Sequence, residues 1–499
     1  MALSKRLFLA GLQCAKRLRL ESVAPELRDP DPAGGDALRE AGIAVGRLAR
    51  ERFPRGRLIA NEEWEAALAA TRAALADDAT EALFEAAFEH GGARTRADVL
   101  VRTAAGWALV EVKAALRVRD RHATDLAYQV AIMRAAGLPV ARAGLLLLDG
   151  DYVHAGGALD LGRLFTHVDL TGEVEPLLAS VQARLGEMQA VLAAAEPPAV
   201  TIGAQCLVPS RCPFFGHCHA GGPPYPVTDL PRLTGAQLAE LGRRGIDDIR
   251  AVPLDLVGLT PLQERARRAA RRGGAICEPA LAAQLAAIPR PAHCIDFETI
   301  APAVPVYPGT RPFEQVPFQW SDHVLAADGA LEHRAFLHDA AGDPRRAFAE
   351  SLLAATADAA AIVVYSGFEG EVLRALAAAL PDLAAALLAR CNRIVDLLPL
   401  VRDHCYHPDL RGSFSIKRVL PAFVPGLGYD DLAIRDGLAA ARAHAALVDP
   451  ELDAAQREEV RAQLLAYCAR DTMALVELLR VLAAAPDAGA DPPRPPRIG

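Results

Sequence analysis

The spacing of apolar and polar positions changes character along the chain. Through the first two hundred residues apolar side chains recur every three to four positions, the period of helices packed on one face. One stretch departs from it. Asp98-Val-Leu-Val-Arg102 and Trp107-Ala-Leu-Val-Glu-Val112 are strand-like runs around the turn Thr103-Ala-Ala-Gly106, and they predict a hairpin. Residues 201–228 lose periodicity and hold several Pro and Gly. Residues 229–290 read as a small helical unit, in which Leu238–Pro253 is helix, then Gly245-Ile246, then helix. In Thr260-Pro-Leu-Gln263 a hydroxyl cap, a proline and a glutamine three residues on predict a further helix start. From residue 291 the pattern becomes α/β. Strands are predicted at Cys294–Thr299, at Phe318–Leu325 and Leu331–Leu337 around Asp328-Gly329, and at Ala361–Tyr365. Helical runs follow to about 485, and the Pro-rich tail 486–499 is expected to be disordered.

Composition narrows the class. A length of 499 residues predicts about three domains, and 52% hydrophobic against 23% charged residues is too apolar for a disordered chain. Apolar runs stay short of a transmembrane helix. The start, with Lys5 and Arg6 beside a short apolar run, does not make a signal peptide. No membrane association and a cytoplasmic location are expected. A net charge of −8 excludes a histone-like blanket of positive charge but leaves room for a local basic groove. Only Lys5, Lys16, Lys113 and Lys417 are lysines among 54 basic residues. Where lysine survives such a bias, a compact ammonium is wanted in place of arginine's fork. The nine cysteines are expected to be reduced rather than disulfide-bonded.

Three constellations carry chemistry. In a symmetric hairpin turning about 104 and 105, Asp98 lies opposite Glu111, and Lys113 shares Glu111's face. Two close carboxylates repel unless a divalent cation bridges them, and Mg²⁺ or Mn²⁺ takes such oxygen ligands. The Asp98, Glu111-Val-Lys113 pattern resembles the PD-(D/E)XK nuclease motif. With Glu85-Ala-Ala-Phe88 upstream and Tyr128-Gln129 downstream, it is similar to the RecB-type, CRISPR-associated iron–sulfur branch of that superfamily. The resemblance implies Gln129 as a further catalytic residue. It also implies a histidine on the first helix, which the matching segment Ile43-Ala-Val-Gly-Arg47 lacks.

Cys206, Cys212 and Cys218 fall within thirteen residues, and Cys14 is a fourth soft ligand from the far end of the same region. In the RecB-like branch such a set holds a 4Fe–4S cluster that closes the nuclease fold. Zinc is the alternative, because His217 and His219 flank Cys218 and offer a Cys₃His set.

Asp296 and Glu298 sit two apart on a strand, and Tyr467 and Asp471 sit four apart on a helix, one face each. Glu369 follows the strand that ends at Tyr365, with Glu371 and Asp396 as other choices for a third acid. This order resembles the DEDD exonucleases of the ribonuclease H-like fold. It implies two metal ions held by Asp296, Glu298, Glu369 and Asp471, with Tyr467 aligning the attacking water. The departure is glutamate at 369, where those enzymes carry aspartate. Gly412-Ser-Phe-Ser-Ile-Lys417 resembles a segment of a bacterial family of uncharacterised proteins that joins the two nuclease-like parts.

The sequence thus predicts an α/β multidomain chain: a restriction-endonuclease-like domain over 1–220, a helical, helix-hairpin-helix-like linker over 221–290 and a ribonuclease H-like domain over 291–485. Arg265, Arg268 and Arg272 on the linker, and Lys417, are expected to contact phosphates. The implied activity is phosphodiester hydrolysis of nucleic acid, DNA before RNA, in repair, recombination or phage defence, with a helicase or defence-system partner. The alternative is a non-catalytic nucleic-acid-binding scaffold with decayed sites.

Overall fold

The computed structural model describes residues 2–30, 35–60, 63–253 and 258–484; the tail expected to be disordered lies outside them. The architecture is mixed α/β. The chain divides into one unit of residues 1–220 with 301–314 and a second of 221–300 with 315–499.

The first unit runs β1 (Leu3–Ser4), α1 (Lys5–Gln13), α2 (Ala15–Val23), α3 (Gly35–Glu51), β2 (Gly56–Leu58), α4 (Trp64–Ala76), β3 (Ala82–His90), β4 (Ala93–Thr103), β5 (Gly106–Lys113), α5 (Arg121–Ala135), β6 (Val140–Leu148), β7 (Phe165–Asp169), α6 (Leu178–Ala193) and α7 (Phe215–His219). Its sheet has the order β2-β3-β4-β5-β6-β7, with β1 parallel on β4. The predicted hairpin is β4–β5 in the predicted register, Thr103 opposite Gly106 and Val99 opposite Val110. Gly106 takes a φ of +124°, and a Cβ there would stand 2.3 Å from the Pro139 carbonyl, so the turn needs glycine. Ladder pairing ends at Val99–Val110, and β1 pairs with β4 only at Ala93–Arg94. The two strands therefore part at Asp98 and Glu111. One face of this sheet buries Leu83, Leu100, Leu109 and Leu145 against Leu126, Val130 and Met133 of α5.

The second unit runs α8 (Gly235–Arg243), α9 (Pro261–Arg272), β8 (Ile276–Cys277), α10 (Pro279–Ala286), β9 (Ala292–Ile300), β10 (Val316–Leu325), β11 (Leu331–Leu337), α11 (Arg345–Ala355), β12 (Ala361–Val364), α12 (Phe368–Ala379), β13 (Ile394–Asp396), β14 (Cys405–Tyr406), α13 (Ile416–Phe423), α14 (Gly437–Leu447) and α15 (Ala454–Ala483). The sheet order is β11-β10-β9-β12-β13, with β10 antiparallel to both neighbours and β9, β12 and β13 parallel. Alternation along β9 divides its side chains between two cores. Cys294 joins Leu475 and Leu479 of α15, while Ile295 and Phe297 join Phe348 and Leu373.

Three expectations need correction here. The second helix read within Leu238–Pro253 is a three-residue 3₁₀ turn, Ile249–Ala251. Asp248 accepts the Arg250 amide at 2.8 Å, and Pro253 closes the segment before a helix can propagate. Residues 229–290 also do not stand apart: Leu238, Leu241, Ile249, Ala266 and Leu281 share one core with β9 and α15. The expectation of nine free thiols fails at one pair. β8 and β14 set Cys277 directly opposite Cys405, with Cα atoms 4.2 Å apart, and the two form a disulfide. Among the described residues no helix is long and apolar enough to cross a membrane.

Candidate active sites

In the first unit the parting strands leave the Val112 amide without a ladder partner, and it donates to Asp98 Oδ2 at 2.8 Å. Glu111 is buried. Its Oε1 accepts from Lys113 and from Lys5, each at 2.6 Å, and its Oε2 from Gln129 Nε2 at 2.6 Å. Both ammoniums also reach Asp125 on α5, Lys113 at 3.0 Å and Lys5 at 3.3 Å. Burial pushes Glu111 up, but Lys5 and Lys113 outweigh it and hold the carboxyl down at about 2. Asp98 goes the other way: burial and the neighbouring Glu111 charge push it to about 7. All the residues predicted here, Asp98, Glu111, Lys113 and Gln129, come together. Sequence reasoning missed Lys5 and Asp125 as site residues, although the scarcity of lysine was a signal for the first. Tyr128 is a fastening instead: its hydroxyl meets the Leu3 carbonyl at 2.5 Å and that of Arg94 at 3.0 Å, tying β1 to β4.

Asp98, Glu111 and Lys113 line a cleft of about 770 Å³. Its walls carry Arg39, Arg47 and Arg50 from α3, then Arg119, Arg121 and His122. The segment of α3 without the implied histidine does face the cleft, through Ile43 and Gly46. The imidazole among the lining residues is His122, whose Nδ1 accepts the Arg119 amide at 3.1 Å. Glu85 belongs to β3, where a φ of +56° is unusual for a glutamate. Its carboxylate pairs with Arg50 at 2.7 Å.

Cys14, Cys206, Cys212 and Cys218 line one pocket together with Lys16, Arg17 and Phe214. Cys14 closes α1 and opens α2. Its neighbour Gln13 gathers the facing loop by donating to the carbonyls of Gln205 at 2.8 Å and Ser210 at 2.7 Å. Burial pushes the Cys212 and Cys218 thiols up, and the other thiols add to it against Arg17 and Lys16. His217 and His219 are not among the lining residues. The His219 ring stacks on Phe215 with centroids 3.7 Å apart.

In the second unit β9 projects Asp296 and Glu298 toward the face of α15 that carries Tyr467 and Asp471, and Glu369 enters from the first turn of α12. Oxygens of Asp296 and Glu298 and the sulfur of Cys468 lie within 4.8 Å of one another, the one such group of three among the described residues. Burial pushes Asp296 and Glu298 well above the carboxylate range, with Asp471 and Glu369 adding to it. Burial, then Asp396 and Asp471, lifts Glu369 to about 8, and its buried Oε2 has no hydrogen-bond partner. Asp471 rises to about 6 by burial, held lower than the others by Tyr429, Lys417 and Tyr467. Cys468 Sγ lies 3.6 Å from the Asp296 carbonyl. Burial and the surrounding acids keep its thiol protonated.

Of the three choices for the third acid, Glu369 is the one that turns inward. Glu371 is exposed, and Asp396 caps the following helix by accepting the Leu398 amide at 2.9 Å. The abrupt passage from β12 to α12 is made at Ser366, which holds a φ of +146°, costly for a residue with a side chain.

Lys417, expected to contact phosphate, is half-buried at the rim of this cluster. Its Nζ donates to the Arg435 carbonyl at 2.7 Å and to Tyr467 Oη at 3.3 Å. It lies 5.6 and 5.5 Å from the ring centroids of Tyr429 and Tyr467. Arg265 also departs from expectation. It is buried, pairs with Glu278 and donates to the Asp403 carbonyl at 2.6 Å, so it holds the fold together. Arg268 and Arg272 are exposed.

Compared with family models, residues 293–415 match a family described as a domain of unknown function (DUF2779). The matched span contains Asp296, Glu298 and Glu369 and ends before Lys417, Tyr467 and Asp471. No curated protein and no solved structure matches the chain.

Proposed function

We propose that the chain is a divalent-metal-dependent nuclease acting on DNA before RNA, and that its second unit is a ribonuclease H-like 3′–5′ exonuclease. The observation that carries the reading is a charge imbalance. Asp296, Glu298, Glu369 and Asp471 converge in a buried site whose nearest ammonium is the single one of Lys417. Four carboxyls so arranged cannot all ionise unaided, and a divalent cation is the group that makes them a stable set. The donor set fits Mg²⁺ or Mn²⁺: Asp296 and Glu298 from the strand, Asp471 from the helix and Glu369, whose Oε2 has no protein partner, would hold it. Such ions, when bound, activate water and stabilise the leaving oxygen of a phosphodiester. The protein's own part is to hold the acids on rigid elements, keep bulk water away by burial, and hold the Tyr467 hydroxyl at the edge of the cluster.

We read the first unit as a PD-(D/E)XK-type centre built on Asp98, Glu111, Lys113 and Gln129, and the cysteine pocket as a 4Fe–4S site. Four thiols on one pocket supply a complete Cys₄ set for such a cluster, and zinc on the same thiols is the alternative. One observation supports a second reading of the first cleft. Lys5 and Lys113 already balance Glu111 and Asp125, so its need for a cation is smaller. That cleft is then a binding groove lined by arginines.

End-labelled single-stranded DNA and RNA, incubated with Mn²⁺ and anaerobically purified protein, test both. We expect shortening from the 3′ end that Asp296→Ala abolishes and Lys113→Ala leaves in place. Loss of all cleavage in Lys113→Ala moves the activity to the first unit. No cleavage of either polymer by the wild type removes the enzyme reading and leaves the scaffold. Iron content and visible absorbance of the same preparation decide the cluster.

A further inference from the structure

The position of Lys417 calls for an explanation that phosphate binding does not give. The chain replaces almost every lysine by arginine, yet keeps an ammonium over a pair of phenol rings at the rim of the acid cluster. An ammonium only donates hydrogen bonds, whereas a phenol donates one and accepts others. With Lys417 Nζ 3.3 Å from Tyr467 Oη, the phenol oxygen is the acceptor, and its own hydrogen is turned elsewhere. The carboxylate of Asp471, four residues along the same helix, accepts the Tyr429 hydroxyl, and the charges of Asp471, Glu298 and Asp296 bear on the Tyr467 phenol. Lys417 therefore donates to Tyr467, whose own hydrogen is left to face these acids, while the Arg435 carbonyl, 2.7 Å away, holds the ammonium.

We propose that Lys417 is a positioning residue for Tyr467. By occupying a lone pair of the phenol oxygen it commits the phenol hydrogen to the acid cluster, where the nucleophilic water of the proposed hydrolysis must be aligned. The inference rests on the exonuclease reading of the second unit. It also accounts for the residue type. A guanidinium spreads five donors over a rigid plane, whereas the Tyr467 oxygen and the Arg435 carbonyl call for a compact donor.

The test is a double-mutant cycle in the full chain carrying Lys113→Ala, so that cleavage reports the second unit. Single-turnover cleavage of end-labelled single-stranded DNA with Mn²⁺ is compared for Lys417→Met, Tyr467→Phe and the pair. Metal-free DNA binding is followed by anisotropy, and Mn²⁺ binding by calorimetry. We expect Lys417→Met to lower the cleavage rate about 10- to 100-fold, the usual range for groups that orient a functional ligand. DNA binding and Mn²⁺ binding should be unchanged. In the Tyr467→Phe background the same substitution should cost less than about 3-fold, because its partner is already gone. Lys417→Arg should not restore the rate.

Additive losses, or a loss confined to DNA affinity with the saturated rate intact, overturn the proposal in favour of a direct phosphate contact. Loss of Mn²⁺ binding in Lys417→Met overturns it in favour of a structural role. Absence of cleavage by the parent protein fails the exonuclease reading itself, and the proposal with it.

Discussion

Glu369 shows how much of the site's chemistry resides in single side chains. Its carboxyl is raised from an ordinary 4.5 to about 8, and that of Asp471 from 3.8 to about 6. A raised carboxyl means the fold prefers the protonated form. The stability this contributes is complete below the ordinary values and is lost as pH climbs through the folded ones. Glu111, held at about 2, has the opposite sign, but its loss falls far below that window. The melting temperature in EDTA should therefore fall between about pH 5 and pH 8, and Mn²⁺ should restore it at the upper end. Glu369→Gln, which keeps the shape without the charge, should flatten the fall; an unchanged slope would mean Glu369 does not titrate there. At this scale the sequence was informative wherever one element fixed two residues. Asp296 with Glu298, and Tyr467 with Asp471, follow from the periods of a strand and a helix. Glu369 over Glu371 was not legible, because only the docking of α12 decides which turn faces inward.

Among elements, the β4–β5 hairpin was readable down to its register, since alternation and a tight turn together leave one pairing. The short helix α1 was not. It brings Lys5 to Glu111 across a sequence separation of 106, and local pattern says nothing of such a contact. Lys5→Met leaves buried Glu111 with Lys113 alone. The cost should be about 1–3 kcal/mol, below that of breaking a fully buried pair because Lys5 is about a quarter exposed and one partner remains. Urea midpoints for Lys5→Met, Glu111→Gln and the pair check this; in the Glu111→Gln background the Lys5 change should cost little. The failure at Ile249–Ala251 has a simpler cause. Residues between Gly245 and Pro253 are too few to offset helix nucleation once Asp248 has captured a nearby amide. The Cys277–Cys405 bridge joins strands of two residues each, below what a strand pattern can register.

For the whole molecule, the net charge of −8 and the arginines of the first cleft pull in opposite directions. Long-range repulsion of nucleic acid is screened by salt, and contacts made inside a cleft release counterions. Binding of single-stranded DNA should weaken steeply with salt, by about 0.7 logarithmic units per decade for each phosphate held. Arg47→Glu should lessen that slope by about one phosphate, whereas Arg265→Gln, if folded, should leave it unchanged. Equal slopes for wild type and Arg47→Glu would take the nucleic acid out of this cleft. The path of α1 gives the molecule an order in time as well. During synthesis Lys5 emerges early, but Glu111 and Asp125 follow a hundred residues later, and the loop that Gln13 gathers follows nearly two hundred later. This segment is made before the partners that seat it, so a growing chain exposes Lys5 and Gln13 until the acids of the first cleft and the cysteine loop have followed.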